Sequence, residues 1–123
     1  MGRVEGKVAL ITGAGSGLGR ASAIHLAEEG ANIVATDLNV VTANETVSLI
    51  NGMRSGAAVA AKQDATSQDD WIKALELVQR TFGGLNILVN NAGISIGGDI
   101  ENTKFSDWKK MQEVDVDSVF WGC

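Results

Sequence analysis

Four short apolar runs alternate with stretches of helical spacing, and this alternation restricts the possible folds more than any other feature. The runs cover residues 7–12 (KVALIT), 32–37 (NIVATD), 57–64 (AAVAAKQD) and 86–90 (NILVN). They are apolar at successive positions, as strands covered on both faces are. Between them, Leu18, Ala21, Ile24 and Ala27 fall on one helical stripe, as do Ala43, Val47, Ile50 and Met53 or Arg54. Trp71, Leu75, Val78 and Phe82 mark a third helix. It opens on Ser67 with Asp70 three residues on, a capping-box-like start, and Gly83-Gly84 stops it. Phe105, Trp108 and Met111 mark a fourth helix, which residues 114–121 continue or follow with another. The order β-α-β-α-β-α-β-α predicts a parallel sheet with helices on both faces. Right-handed crossovers leave few arrangements, and the strand order expected is 3-2-1-4, that of a doubly wound α/β fold. No repeat or linker divides residues 1–123, which read as one unit.

The turn between the first run and the first helix reads ITGAGSGLGR, with glycines at 13, 15, 17 and 19. That density lets main chain approach a ligand closely. The helix that follows presents free N–H groups and the positive end of its dipole, a site suited to a pyrophosphate. The strict G-x-G-x-x-G spacing is absent, because Leu18 stands where the third glycine belongs. A tight strand-to-helix turn could use the same glycines for structure alone. The context favours a nucleotide: a strand before, a helix after, and Asp37 closing the second strand, 18 residues past Gly19. A carboxylate there accepts from both ribose hydroxyls of an adenosine and repels a 2′-phosphate, so NAD is expected over NADP. The structural alternative is that Asp37 caps the next helix. Arg20, directly after the loop, complicates the choice of cofactor.

Charge excludes other partners. Fifteen acidic against 10 basic side chains give a net charge of −5. Nucleic acid wants a basic face, and an anionic membrane surface does too. No apolar run approaches the ~20 residues of a spanning helix. The single cysteine, Cys123, forms no internal disulfide, and a reducing cytoplasm is the expected compartment. His25 has no ligand cluster at metal spacing, so no metal is expected; it reads as a helix residue outside any site. Glu28 and Glu29 read as a solvated helix end, and Trp71, Trp108 and Trp121 as packing residues.

TGAGSGLG at 12–19 resembles the T-G-x-x-x-G-x-G loop of the short-chain dehydrogenases/reductases, and NNAG at 90–93 resembles their second motif. Asp64 matches the acid that follows their third strand. The resemblance runs along essentially the whole chain and implies a Rossmann-like, NAD-binding oxidoreductase acting on an alcohol or ketone. It implies that Gly13, Ser16, Gly17, Leu18 and Gly19 surround the pyrophosphate and its ribose. Asp37 then holds the adenine ribose, and Asp64 and Ala65 border the adenine. Asn91, Ala92 and Gly93 line the nicotinamide side. The two-ended Asn91 amide also suits a structural role, satisfying main-chain groups between adjacent strand ends.

Members of that family use a serine, a tyrosine and a lysine from their second half. Tyrosine serves as acid/base when a neighbouring cation lowers its pKa from near 10. This sequence has no tyrosine, so no Y-x-x-x-K exists in it, and it is expected to be an inactive N-terminal portion, cut rather than finished. Asp115 stands where the family's catalytic asparagine is found. When ionised it accepts but does not donate, which alters any proton relay through it; the alternative is a surface acid on a frayed helix. The resemblance further implies that residues 114–123 begin a helix used for homo-oligomers in the full-length form. An exposed apolar face at Val116, Val119, Phe120 and Trp121 is expected, and with it self-association. A second functional reading, a non-catalytic nucleotide-binding or dimer-partner module of the same fold, stays open.

Overall fold

In the computed structural model, which describes residues 2–123, the elements run β1 (Val8–Ile11), α1 (Gly17–Glu28), β2 (Asn32–Asp37), α2 (Val40–Met53), β3 (Ala58–Lys62), α3 (Gln68–Phe82), β4 (Ile87–Val89) and α4 (Phe105–Gln112). A π-helical turn, Glu113–Asp117, then leads into α5 (Ser118–Gly122). The four strands are parallel in the order β3-β2-β1-β4. This is the Rossmann-like arrangement that the alternating pattern predicts. Register pairs Ile11 with Ala35 and with Val89, so the strand ends of β1, β2 and β4 align at one edge.

Successive residues of a strand face opposite sides, and both sides are covered. Ala9, Ile11, Ile33 and Ala35 pack with Ala23 and Ala27 of α1 and Ile50 of α2. Val8, Leu10 and Val34 pack on the other side with Trp71, Ala74 and Val78 of α3. Full burial of Leu10, Ile11 and Ile33 stabilises the sheet by about 1.5–3 kcal/mol each. Asn39 caps α2, its side-chain oxygen accepting from Val41 N–H at 3.0 Å and Thr42 N–H at 3.4 Å. Ser67 caps α3 by accepting from Asp70 N–H at 3.2 Å. Gly83, at φ 85°, ends that helix in the left-handed conformation.

The helices turn differently from the spacing in several places, α2 included, where Thr46 is buried and Met53 and Arg54 are exposed. α1 meets the sheet along Gly19, Ala23 and Ala27, whose small side chains allow close approach. Leu18 is 81% exposed, off the buried line of Gly19, Ala23 and Ala27, and Ala21 is exposed as well. On α3 the buried line is Trp71, Ala74 and Val78, and Leu75 on the adjoining line is 46% exposed. Trp108 and Trp121 are 53% and 41% exposed and do not serve as core packing. Both follow β4, the outermost strand among the described residues, and no further strand lies beneath them. His25 is exposed, within 3.3 Å of Glu28.

Candidate functional site

A cleft of about 310 Å³ opens at the edge where the strands end. Gly13 and Ser16 form its wall after β1, Asp37 and Leu38 after β2, Gln63 to Thr66 after β3, and Asn91 to Ile94 after β4. Thr12 and Val114 complete it. Eight of the residues singled out in the sequence thus meet in one place: Gly13, Ser16, Asp37, Asp64, Ala65, Asn91, Ala92 and Gly93. Gly17, Leu18 and Gly19 do not line the cleft; they form the first turn of α1 beside Ser16.

The glycine loop is tight for identifiable reasons. Gly13 has φ 62°, and a Cβ there would meet Asn91 Nδ2 at 2.9 Å. A Cβ on Gly19 would run into the Gly13 carbonyl oxygen. One on Gly15 would strike the Thr42 hydroxyl and approach Asp37 Oδ2 at 2.8 Å. By contrast, Gly17 has φ 55° with open space where a side chain would go. Ser16 makes no side-chain cap bond, so the N–H groups of the first turn of α1 are left without a side-chain cap.

Asp37 holds the loop from β2. Its Oδ2 accepts from Gly15 N–H at 2.9 Å and its Oδ1 from Asn39 N–H at 3.0 Å. It does not cap α2, since Asn39 does that. Each oxygen keeps a further lone pair for a ligand hydroxyl. Arg20 fixes the far side of the loop. Its guanidinium donates to Gly15 O at 2.6 Å, Thr46 Oγ1 at 2.9 Å, Glu45 Oε2 at 3.0 Å and Thr42 O at 3.3 Å. Arg20 is thereby engaged in tying the loop to α2.

Across the cleft, Asn91 Nδ2 donates to Thr12 O at 3.1 Å and Gly13 O at 3.2 Å. Thr12 Oγ1 accepts from Asn91 N–H and Ala92 N–H, both at 3.0 Å. Asp64 turns into its own loop, where Oδ1 accepts from Thr66 N–H at 2.9 Å and Thr66 Oγ1 at 2.6 Å. Ala65 is buried, its carbonyl accepting from the Trp71 indole N–H at 2.8 Å. Asp115 sits in the π turn outside the cleft wall, and its Oδ1 accepts from Ile94 N–H at 2.7 Å. It is not free on a frayed end; it ties the π turn to the loop after β4.

The sequence reading did not single out Thr12, Leu38, Gln63, Thr66, Ile94 or Val114 as site residues. Leu38 had a signal, an apolar side chain directly after a strand-ending acid; it is exposed on the cleft wall. Among the described residues no group of three or more His, Cys, Asp or Glu side chains is placed to hold a metal, and no helix is long and apolar enough to cross a membrane.

Comparison with known proteins places this geometry. The family model described as short chain dehydrogenase matches residues 7–123. The chain belongs to the short-chain dehydrogenase family. Among curated short-chain dehydrogenases it is similar to the 3-beta-hydroxysteroid dehydrogenase of Comamonas testosteroni, at 38% identity over 121 residues, covering 98% of this chain and 46% of the relative. It is also similar to the NADP-dependent (R)-specific alcohol dehydrogenase of Lentilactobacillus kefiri, at 33% identity, covering 98% of this chain and 47% of the relative. A crystal structure of a short-chain dehydrogenase/reductase from Burkholderia phymatum in complex with NAD superposes with a TM-score of 0.92 at 31% identity. That match covers 99% of this chain and 43% of the other. The chain thus spans about half the length of these relatives, which are dehydrogenases by name.

Proposed function

We propose that this chain is the NAD-binding portion of a short-chain oxidoreductase that moves hydride between an alcohol or ketone and a nicotinamide. The observation that carries the reading is the facing pair of Asp37 and the uncapped first turn of α1, joined through Gly15. Open N–H groups suit a diphosphate, and the carboxylate suits the two hydroxyls of a ribose. The glycine cradle supports the same fit, because side chains at positions 13, 15 and 19 would collide with the walls that hold the loop. Nicotinamide, when bound, supplies the hydride acceptor or donor. The residues of this chain bind and orient it: Gly13, Ser16, Gly17, Leu18 and Gly19 at the diphosphate, Asp37 at the ribose, Asp64 and Ala65 at the adenine. Asn91, Ala92 and Gly93 hold the nicotinamide side, and Asp115 positions the loop there through Ile94.

NAD is favoured over NADP because Asp37 would repel a 2′-phosphate while Arg20 is committed to four acceptors elsewhere. Titration followed by NADH fluorescence tests this. NADH is expected to bind with at least tenfold preference over NADPH. Folded protein that ignores NADH at millimolar concentration refutes the proposal. The absence of tyrosine favours one refinement: these 123 residues bind without turning over. Alcohol and NAD incubated with the chain are expected to give no NADH, and steady production of NADH would remove that refinement.

A further inference from the structure

Gln63 ends the run of side chains that β3 sends to the α3 side of the sheet, and it lines the cleft between Asp37 and Ala65. It is only 3% exposed, a polar side chain almost wholly removed from solvent. Thr36, whose register partner on β3 is Ala61, two residues before Gln63, is itself fully buried and donates its hydroxyl to Gln63 Oε1 at 2.7 Å. The other end of the amide is unsatisfied: among the described residues, Gln63 Nε2 is buried with no acceptor. Leaving a buried donor unpaired costs about 1–3 kcal/mol, and methionine or leucine would fill the same volume without that cost.

The amide can be turned over without removing the deficit. In that setting Nε2 donates to Thr36 Oγ1, the Thr36 proton goes to Ile11 O, at 3.5 Å, and Oε1 is the open end. In either setting Thr36 holds one end of a planar amide and the other has no protein partner. A glutamine amide complements the edge of adenine, which carries an amino donor beside ring-nitrogen acceptors.

We infer that Gln63 reads the adenine of the bound dinucleotide, its open amide end hydrogen-bonding to the base edge while Thr36 holds it in register. The inference rests on the dinucleotide reading above and adds to it a base-recognition residue. Gln63 acts on the base and not on the sugar, which Asp37 holds.

The test compares NADH with its hypoxanthine analogue, in which the 6-amino group is replaced by a carbonyl oxygen and N1 carries a proton. Gln63→Met is expected to weaken NADH roughly five- to tenfold, the loss of one neutral hydrogen bond, and to change the ratio of the two affinities at least threefold from wild type. Unchanged NADH affinity, or an equal loss for both ligands, overturns the inference while leaving the dinucleotide site standing. Wild type that binds neither ligand takes down both readings. Should Gln63→Met not fold, wild-type NMR decides: the Gln63 side-chain amide signals shift on saturation with NADH, and signals that stay in place overturn the inference.

Discussion

Asp37 connects three segments through one carboxylate, and substitution there separates its effects. Asp37→Ala removes the acceptor for Gly15 N–H and Asn39 N–H together with the proposed ribose contact. NADH affinity is expected to fall about tenfold or more, and the preference over NADPH with it, as read by parallel titrations. Gly19→Ala acts on the loop from inside. The added methyl meets the Gly13 carbonyl and lies 2.6 Å from Asn91 Nδ2, so stability is expected to fall by about 1–3 kcal/mol in urea denaturation. Asp37 and the glycines were legible in the sequence because their cue is local: a turn, an acid at a strand end, and the spacing between them. Gln63 was not legible, because its partner Thr36 lies in another strand and only the register of β2 on β3 brings the two together. The commitment of Arg20 was hidden for the same reason, since three of its four acceptors lie on α2.

The helices are held by ends as much as by faces. Asn39→Ala removes the cap of α2 and is expected to cost about 1 kcal/mol, measured as a lower urea midpoint with an unchanged slope. The π turn has its own test. Asp115→Asn keeps an oxygen for Ile94 N–H and is expected to leave the thermal midpoint nearly unchanged. Asp115→Ala removes that acceptor and is expected to cost about 0.5–1.5 kcal/mol. Strand order and element order were legible from alternation alone, because parallel strands covered on both faces leave a simple hydropathy record. Helix rotation was less so. Spacings of three and of four residues both fit one helix face, so Leu75 was read as core where Ala74 is buried, and Leu18 where Gly19 is. The π turn left no record, because its extra residue breaks the period that would have revealed it.

Across the molecule, burial is uneven. The cores between the sheet and α1, α2 and α3 are buried, whereas Phe105, Trp108, Val116, Phe120 and Trp121 are each exposed on the segments that follow β4. Apolar surface of that kind is expected to drive self-association, and sedimentation velocity should show an average mass that rises with protein concentration. A concentration-independent monomer would contradict it. The expected exposure at Val116, Phe120 and Trp121 is present; Val119 is half-buried. The exposure of Trp108 was not foreseen, because spacing says which residues share a helix face but not whether a layer lies beneath it. The seam between β1 and β4 carries a further consequence. It has only three paired positions, closed at one end by Asn86, which exchanges bonds with Val8, and at the other by Asn91 clasping Thr12 and Gly13. The upper clasp therefore belongs both to the sheet and to the loop proposed to cradle the diphosphate. Occupancy of the cradle should be felt as slower deuterium uptake along Leu88 and Val89, so that the outermost strand reports a ligand it never touches.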